Sequence, residues 1–186
     1  GDEEDQARSY ELAQMQPLPE DEPFALYYRH ASFLAQIGPQ EDRLEWCLGR
    51  MRDTGMLDRE LTDFEEARVD RRLKQSLVWV TKYVPENRVV LLESLTPDVE
   101  RTLDEKDREA LRIYAERAAK VEWNEDAIKE SMVSLTKLGK LPVETNRFFR
   151  DLYLVLLGQE RGPRAAPFLA VLEKDWVVRR LRDASH

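Results

Sequence analysis

From Phe24 onward, apolar residues return every three or four positions, and no segment alternates with a period of two over a useful length. A strand needs alternate residues on one face; a helix needs its buried stripe at 3.6-residue spacing. This rhythm confines the chain to an all-α fold, with roughly eight helices and no sheet.

The punctuation sets the boundaries. A first helix is expected from about Glu22 or Pro23, with Phe24, Tyr27, Tyr28, Ala31 and Leu34 on its inner face, ending at Gly38-Pro39. A second should run from Pro39 to Arg52, carrying Leu44, Cys47, Leu48 and Met51. Phe64 to Tyr83 forms a longer charged helix stopped by Pro85, and Val89–Leu92 reads as irregular. Thr96-Pro97 supplies an N-cap followed by a proline at the first helical position. The pattern restarts at Asp104 and again behind Asn124, a good cap, with Gly139 ending that helix. Pro142 is expected to open the next, which carries Phe148, Phe149, Leu152, Tyr153 and Leu156 and ends at Gly158. A short helix holds Phe168, Leu169 and Leu172, and the last spans Asp175 to Leu181.

Residues 1–21 are acidic and polar, with Pro17 and Pro19, and read as a linker or tail; 22–186 form the helical region, divisible into packed subdomains of about 22–123 and 124–183. The acidic start does not have the character of a signal peptide. No apolar run approaches the ~18 residues of a membrane span.

Enzyme chemistry is thin. A single cysteine, Cys47, excludes an internal disulfide and a multi-cysteine zinc site, and it reads as a small core residue. The histidines are His30, beside an aromatic face, and His186, the last residue; no metal site is expected. No glycine-rich phosphate loop, serine elbow or His-Glu-x-x-His appears, so the chain itself has no expected catalytic residue and no cofactor. Net charge is −8, which taken alone argues against a nucleic-acid partner. Its distribution is uneven. Residues 131–186 hold ten Lys and Arg against six Asp and Glu, a net of +4, leaving −12 for 1–130. A basic C-terminal third on an acidic body suits RNA on one side only, and equally suits an ordinary mixed surface.

The run Phe148-Phe149-Arg150-Asp151-Leu152-Tyr153-Leu154-Val155-Leu156-Leu157-Gly158-Gln159-Glu160-Arg161-Gly162-Pro163-Arg164, followed by Pro167-Phe168-Leu169-Ala170-Val171-Leu172, resembles the C-terminal signature of class I lysyl-tRNA synthetases. Trp79-Val80-Thr81-Lys82-Tyr83-Val84-Pro85 is similar to that family's Trp-x-x-x-Tyr-x-Pro segment, and Tyr28-Arg29-His30-Ala31-Ser32-Phe33-Leu34 to its first helix in this region. The likeness covers about residues 20–183 and is weakest at 86–125.

The resemblance implies a helical anticodon-binding unit, an α-helix cage similar to that of bacterial glutamyl-tRNA synthetases. It also implies a cytoplasmic module whose partners are lysine tRNA and its own N-terminal catalytic domain. That the chain is a monomer is expected separately, from apolar helix faces that satisfy one another and an acidic charge that keeps copies apart. ATP and lysine would bind that domain, whose HIGH and KMSKS signatures are absent here. Unpaired anticodon bases can be stacked on aromatic or guanidinium planes and read at their edges. Arg147, Arg150, Arg161, Gly162 and Arg164 are the candidate RNA-binding residues. Gly162 permits close backbone approach, and Pro163 can open a helix that Arg161 and Arg164 flank. Plainer roles stand beside these. Gly158 suits a helix C-cap, Gly162-Pro163 a simple turn, and Arg161 or Arg164 an ion pair with Glu160 or Glu173. Phe148, Phe149, Tyr153, Trp79 and Trp176 suit the core. Two rival functions are the anticodon-binding region of a glutamyl-tRNA synthetase and a helical protein-interaction module without RNA.

Overall fold

The computed structural model describes Phe24, Leu26 and residues 28–186. Among them lie nine α-helices and no strand: α1 Tyr28–Ile37, α2 Arg43–Asp53, α3 Asp63–Tyr83, α4 Pro97–Thr102, α5 Glu105–Ala118, α6 Glu125–Thr136, α7 Thr145–Leu157, α8 Ala165–Val171 and α9 Lys174–Ala184, with a 3-10 turn at Pro85–Asn87. The tail 1–21, the expected helix start at Glu22 or Pro23, and Tyr27 lie outside the described residues, as do the side chains of Tyr28 and His30.

The two N-caps read from the sequence form, and two capping boxes join them. Thr96 Oγ1 accepts from Val99 N at 3.3 Å, and Asn124 Oδ1 from Ala127 N at 2.9 Å. Asp104 Oδ1 accepts from Asp107 N at 3.0 Å while Asp107 Oδ2 accepts from Asp104 N at 2.8 Å, a reciprocal capping box. Thr62 and Glu65 make the same arrangement on α3. Gly139 and Gly158 close α6 and α7 with φ of 60° and 68°.

Three expected starts move. Helix α2 begins at Arg43 rather than Pro39, because Asp42 holds φ 54°, a left-handed conformation that interrupts any helix from Pro39. Pro142 does not open α7; Glu144 is extended and the helix begins at Thr145. Pro163 lies two residues ahead of α8, whose N-cap is Arg164. Val89–Leu92 is irregular as expected, tied down by Val89 N to Gln36 Oε1 at 2.7 Å and Leu92 N to Leu156 O at 2.9 Å.

Helices α1 and α3 pack closely, with α2 beside them; α5, α7 and α9 pack on the other side, and α6 joins α5 to α8. The short α8 touches α1, α2, α6 and α9. Ala166 through Val171 are all buried, as an apolar helix wedged between two layers must be. Phe168 meets Phe33 edge to face at 6.3 Å across that junction. One cluster of buried residues runs from Leu26 to Ala184. Phe148, fully buried, stands edge-on to Tyr114 at 5.3 Å, while Phe149, Tyr153 and Trp176 are partly buried against the cluster. Trp79 is the exception to the expected core aromatics, at 48% exposed. The inner stripe of α3 is Val69, Leu73, Ser76 and Val80, and Trp79 stands beside that stripe on the outer face.

Candidate nucleic-acid interface

The loop 158–164 leaves α7 through the left-handed Gly158 and is pinned back onto the helix it has just left. The Tyr153 hydroxyl donates to the Pro163 carbonyl. A Cβ on Gly162 would sit 2.6 Å from Tyr153 Cδ1 and 2.8 Å from Leu157 Cδ1. Close approach is therefore the reason for glycine, but the approach is to the protein's own Tyr153 ring. Pinning fixes the flanking residues. Arg161 and Arg164 are exposed, and neither pairs with Glu160 or Glu173 or makes an ion pair with any other described residue. Their cations are free to face a ligand.

Beside this loop lies a groove of about 680 Å³ between α1, the segment after the 3-10 turn, and the loop. Arg88, Arg161 and Glu86 line it with charge, Gln159 and Ser32 with neutral polar groups, and Phe33 and Leu157 with apolar surface. Gln159 Nε2 donates to the Arg88 carbonyl at 3.3 Å, tying the two walls together. Gln36, whose amide accepts from Val89 N and donates to Ser32 O at 2.9 Å, holds the third wall in place. Apolar surface for a base, edge-reading amides and two unpaired guanidiniums are what an unpaired nucleotide requires. Arg164 lies outside the residues lining this groove.

Arg147 and Arg150 belong to a different assembly. Arg147 Nε donates to Asp107 Oδ1 at 2.6 Å, and its Nη2 to Asp104 Oδ2 at 2.6 Å and Asp107 Oδ2 at 2.9 Å. Arg150 Nη2 donates to Asp151 Oδ1 at 2.7 Å and stands 3.8 Å from Asp107 Oδ2. Asp107 and Asp151 are both fully buried. Burial alone would raise both carboxyls. At Asp107 the hydrogen bonds from Arg147, from Asp151 and from the Asp104 backbone outweigh it and hold the group well below the usual carboxylate range. At Asp151 burial wins, with the neighbouring Asp107 adding to it, and the carboxyl is pushed up to about 7. Asp151 Oδ2 is buried with no donor near it. Protonated, it becomes the donor, and Asp107 accepts. The cluster staples α7 to the N-terminus of α5. Its two guanidiniums are matched by carboxylates, so it offers a phosphate little net charge.

The C-terminal cations divide further. Arg180 is buried and donates to the carbonyls of Val155, Leu92 and Glu93, at 2.9, 2.8 and 3.0 Å, with its guanidinium 5.0 Å over the Trp176 ring. Lys174 donates to the Val121 carbonyl at 2.8 Å. Both are bonded to carbonyls of the protein itself. Arg88, Glu86 and Gln159 enter the groove although the residue types alone gave no sign of it. The one signal was that Arg88 follows Pro85 at the head of an irregular stretch.

Residues 81–185 match the family model described as anticodon binding domain. The chain is 33% identical over 182 residues to a lysine–tRNA ligase of Aeropyrum pernix, covering 97% of this chain and 32% of that protein. It is 29% identical over 185 residues to the lysine–tRNA ligase of Methanocaldococcus jannaschii, covering 96% and 34%. It is 31% identical over 186 residues to that of Thermococcus kodakarensis, covering 97% and 33%. The chain thus spans about a third of the length of the curated relatives it matches.

Proposed function

The chain belongs to the anticodon binding domain family, and from that premise we propose that it recognises the anticodon loop of lysine tRNA as one part of a lysine–tRNA ligase. Ligation of lysine with ATP belongs on this reading to the other two thirds of such a protein, which would hold both small substrates and dock this helical part. The cytoplasm is the expected compartment and the monomer the expected state; no helix among the described residues is long and apolar enough to cross a membrane. That the relatives named above are lysine enzymes favours lysine over glutamate tRNA.

The observation that carries the proposal is the groove beside the pinned loop, where Arg161 and Arg88 stand unpaired over apolar surface. Arg161, Arg164 and Arg88 meet phosphate or base, Gly162 lets the loop lie flat on Tyr153, and Arg147 and Arg150 position α7, which carries the loop. Three phosphate contacts at the loop and groove contribute roughly −2 to the slope of log affinity against log salt. Filter binding at stated salt tests this with lysine and glutamate tRNA. Lysine tRNA should bind more tightly, and Arg161→Glu should weaken it by about tenfold or more, since each factor of ten is about 1.4 kcal/mol. Equal affinity for both tRNAs, or an unaltered Arg161→Glu variant, refutes the assignment.

A further inference from the structure

Helix α3 spans 21 residues, about 31 Å, and its outward face is unlike an ordinary solvated helix. Two of its four carboxylates are engaged, and the other two, Asp63 and Glu66, stand off the outer stripe. Glu65 points inward, 4% exposed, and is held by Arg59 at 2.6 Å and by the backbone of Thr62 and Phe24. Asp70 is paired with Lys74 at 2.6 Å. The outer stripe, read at successive turns, is Phe64, Arg68, Arg71 and Arg72, Gln75, Trp79, Lys82 and Tyr83, all exposed. Phe64 is 70% and Tyr83 56% exposed.

The aromatics and cations of this stripe are arranged on one another. The Arg68 guanidinium lies 5.8 Å from the Phe64 ring and the Lys82 ammonium 5.2 Å from Tyr83. Trp79 and Tyr83 face each other at 4.7 Å and 36°. Arg71 and Arg72 make no ion pair or hydrogen bond with any described residue. A protein partner would have to desolvate four cations without carboxylates; a polyanion with stackable bases meets both halves of the stripe. The stripe also ends where the groove begins, since Arg88 follows Tyr83 by five residues across the 3-10 turn.

We propose that the outer face of α3 is a second RNA-binding surface, on which Arg68, Arg71 and Arg72 hold phosphates of a strand leaving the groove, and Trp79 with Tyr83 stacks an unpaired base. The proposal rests on the reading that the ligand is a tRNA. It places an RNA contact within residues 1–130, whose summed charge is −12, because on α3 Glu65 is turned inward, Asp70 is paired, and Asp63 and Glu66 lie off a stripe whose charged residues are all cations.

The experiment measures binding of this chain to whole lysine tRNA and to a short single strand holding only the anticodon loop, across a salt series. The wild type should bind the whole tRNA more tightly. Combining Arg68→Glu, Arg71→Glu and Arg72→Glu should weaken whole tRNA by about tenfold or more and make the salt slope shallower by about 2, three contacts each contributing roughly 0.7–0.9. Binding of the short strand should not change. The triple change to Gln should act in the same direction with smaller loss, and circular dichroism should show both variants melting as the wild type does. If the wild type binds neither RNA, the tRNA reading itself falls. If it binds tRNA and the charge reversals leave affinity and slope unaltered, this second surface is refuted while the tRNA reading stands. Equal loss for both RNAs makes the stripe part of one site and overturns the proposal. So does a wild-type dimer in sedimentation that Trp79→Ala converts to monomer with RNA binding intact.

Discussion

Substituting Gly162 tests the pinned loop most directly. Its φ is not in the left-handed region, so alanine meets no backbone penalty there, and the whole effect comes from contact. The added Cβ would stand 2.6 Å from Tyr153 Cδ1 and 2.8 Å from both Tyr153 Cε1 and Leu157 Cδ1, where carbon atoms pack at about 3.5–4.0 Å. About 1 Å of movement is required. The Leu157 methyl can swing aside, but the Tyr153 ring is held by its hydroxyl bond to Pro163, so the loop itself must lift. Overpacking of this kind costs about 1–3 kcal/mol. At roughly 2–4 °C per kcal/mol for a chain of this size, Gly162→Ala should lower Tm by about 2–12 °C. RNA affinity should fall with it, because Arg161 rides on the displaced loop. A double-mutant cycle supplies the decisive measurement. In a Tyr153→Ala background the ring is gone, and Gly162→Ala should cost less than about 1 kcal/mol. A Gly162→Ala variant that melts as the wild type does, or one whose cost is undiminished without the ring, refutes the claim that Tyr153 dictates this glycine.

Arg147→Met should destabilise the chain by about 1.5–3 kcal/mol in urea unfolding, by stripping the buried Asp107 of its charged donor, whereas Arg161→Met should stay within about 0.5 kcal/mol; equal effects would mean that Arg147 is not the structural member of the pair. Asp151 sets a pH dependence: the native state keeps its proton up to about pH 7, while the unfolded chain releases it near the ordinary 3.8, so the stability this group supplies falls as pH rises between those values. The urea midpoint should therefore drop from pH 5 to pH 8 more in the wild type than in Asp151→Asn, and identical pH profiles for the two would place the shared proton elsewhere.

Much of the fold was legible because helix caps and breakers are local. Thr96-Pro97, Asn124, Gly139 and Gly158 act on their own neighbours within one turn, and each does what its residue type allows. The boundaries that moved depended on something else. Asp42 takes a left-handed conformation that aspartate tolerates but does not announce, and the prolines at 142 and 163 stand three and two residues ahead of helices whose N-cap residues, Glu144 and Arg164, make no side-chain cap bond that a residue type could signal. Trp79 was assigned to the core because large aromatics usually are, yet it lies one position from the inner stripe of α3, and one position is 100° of helix.

Charge was the least legible property, for a reason the arginines make plain. A count over residues 131–186 treats ten cations alike, but each acts through what lies within a few ångströms, and those neighbours come from distant parts of the chain. Arg147 meets Asp104 and Asp107, some forty residues earlier; Arg180 meets carbonyls of Leu92 and Glu93, nearly ninety residues earlier. Both are consumed in stapling helices. Arg161 comes from the same segment, yet the turn around Gly162 leaves it exposed and in no ion pair with any described residue. On α3 the reverse happens. There Glu65 folds into a capping box and Asp70 onto Lys74, Asp63 and Glu66 stand to one side, and a row of arginines faces water. Which arginines can meet a phosphate is thus decided by the folding of their neighbours, and a single-residue reversal at Arg72 against one at Arg147 separates the two kinds. The first should change RNA affinity at constant Tm, and the second should change Tm first.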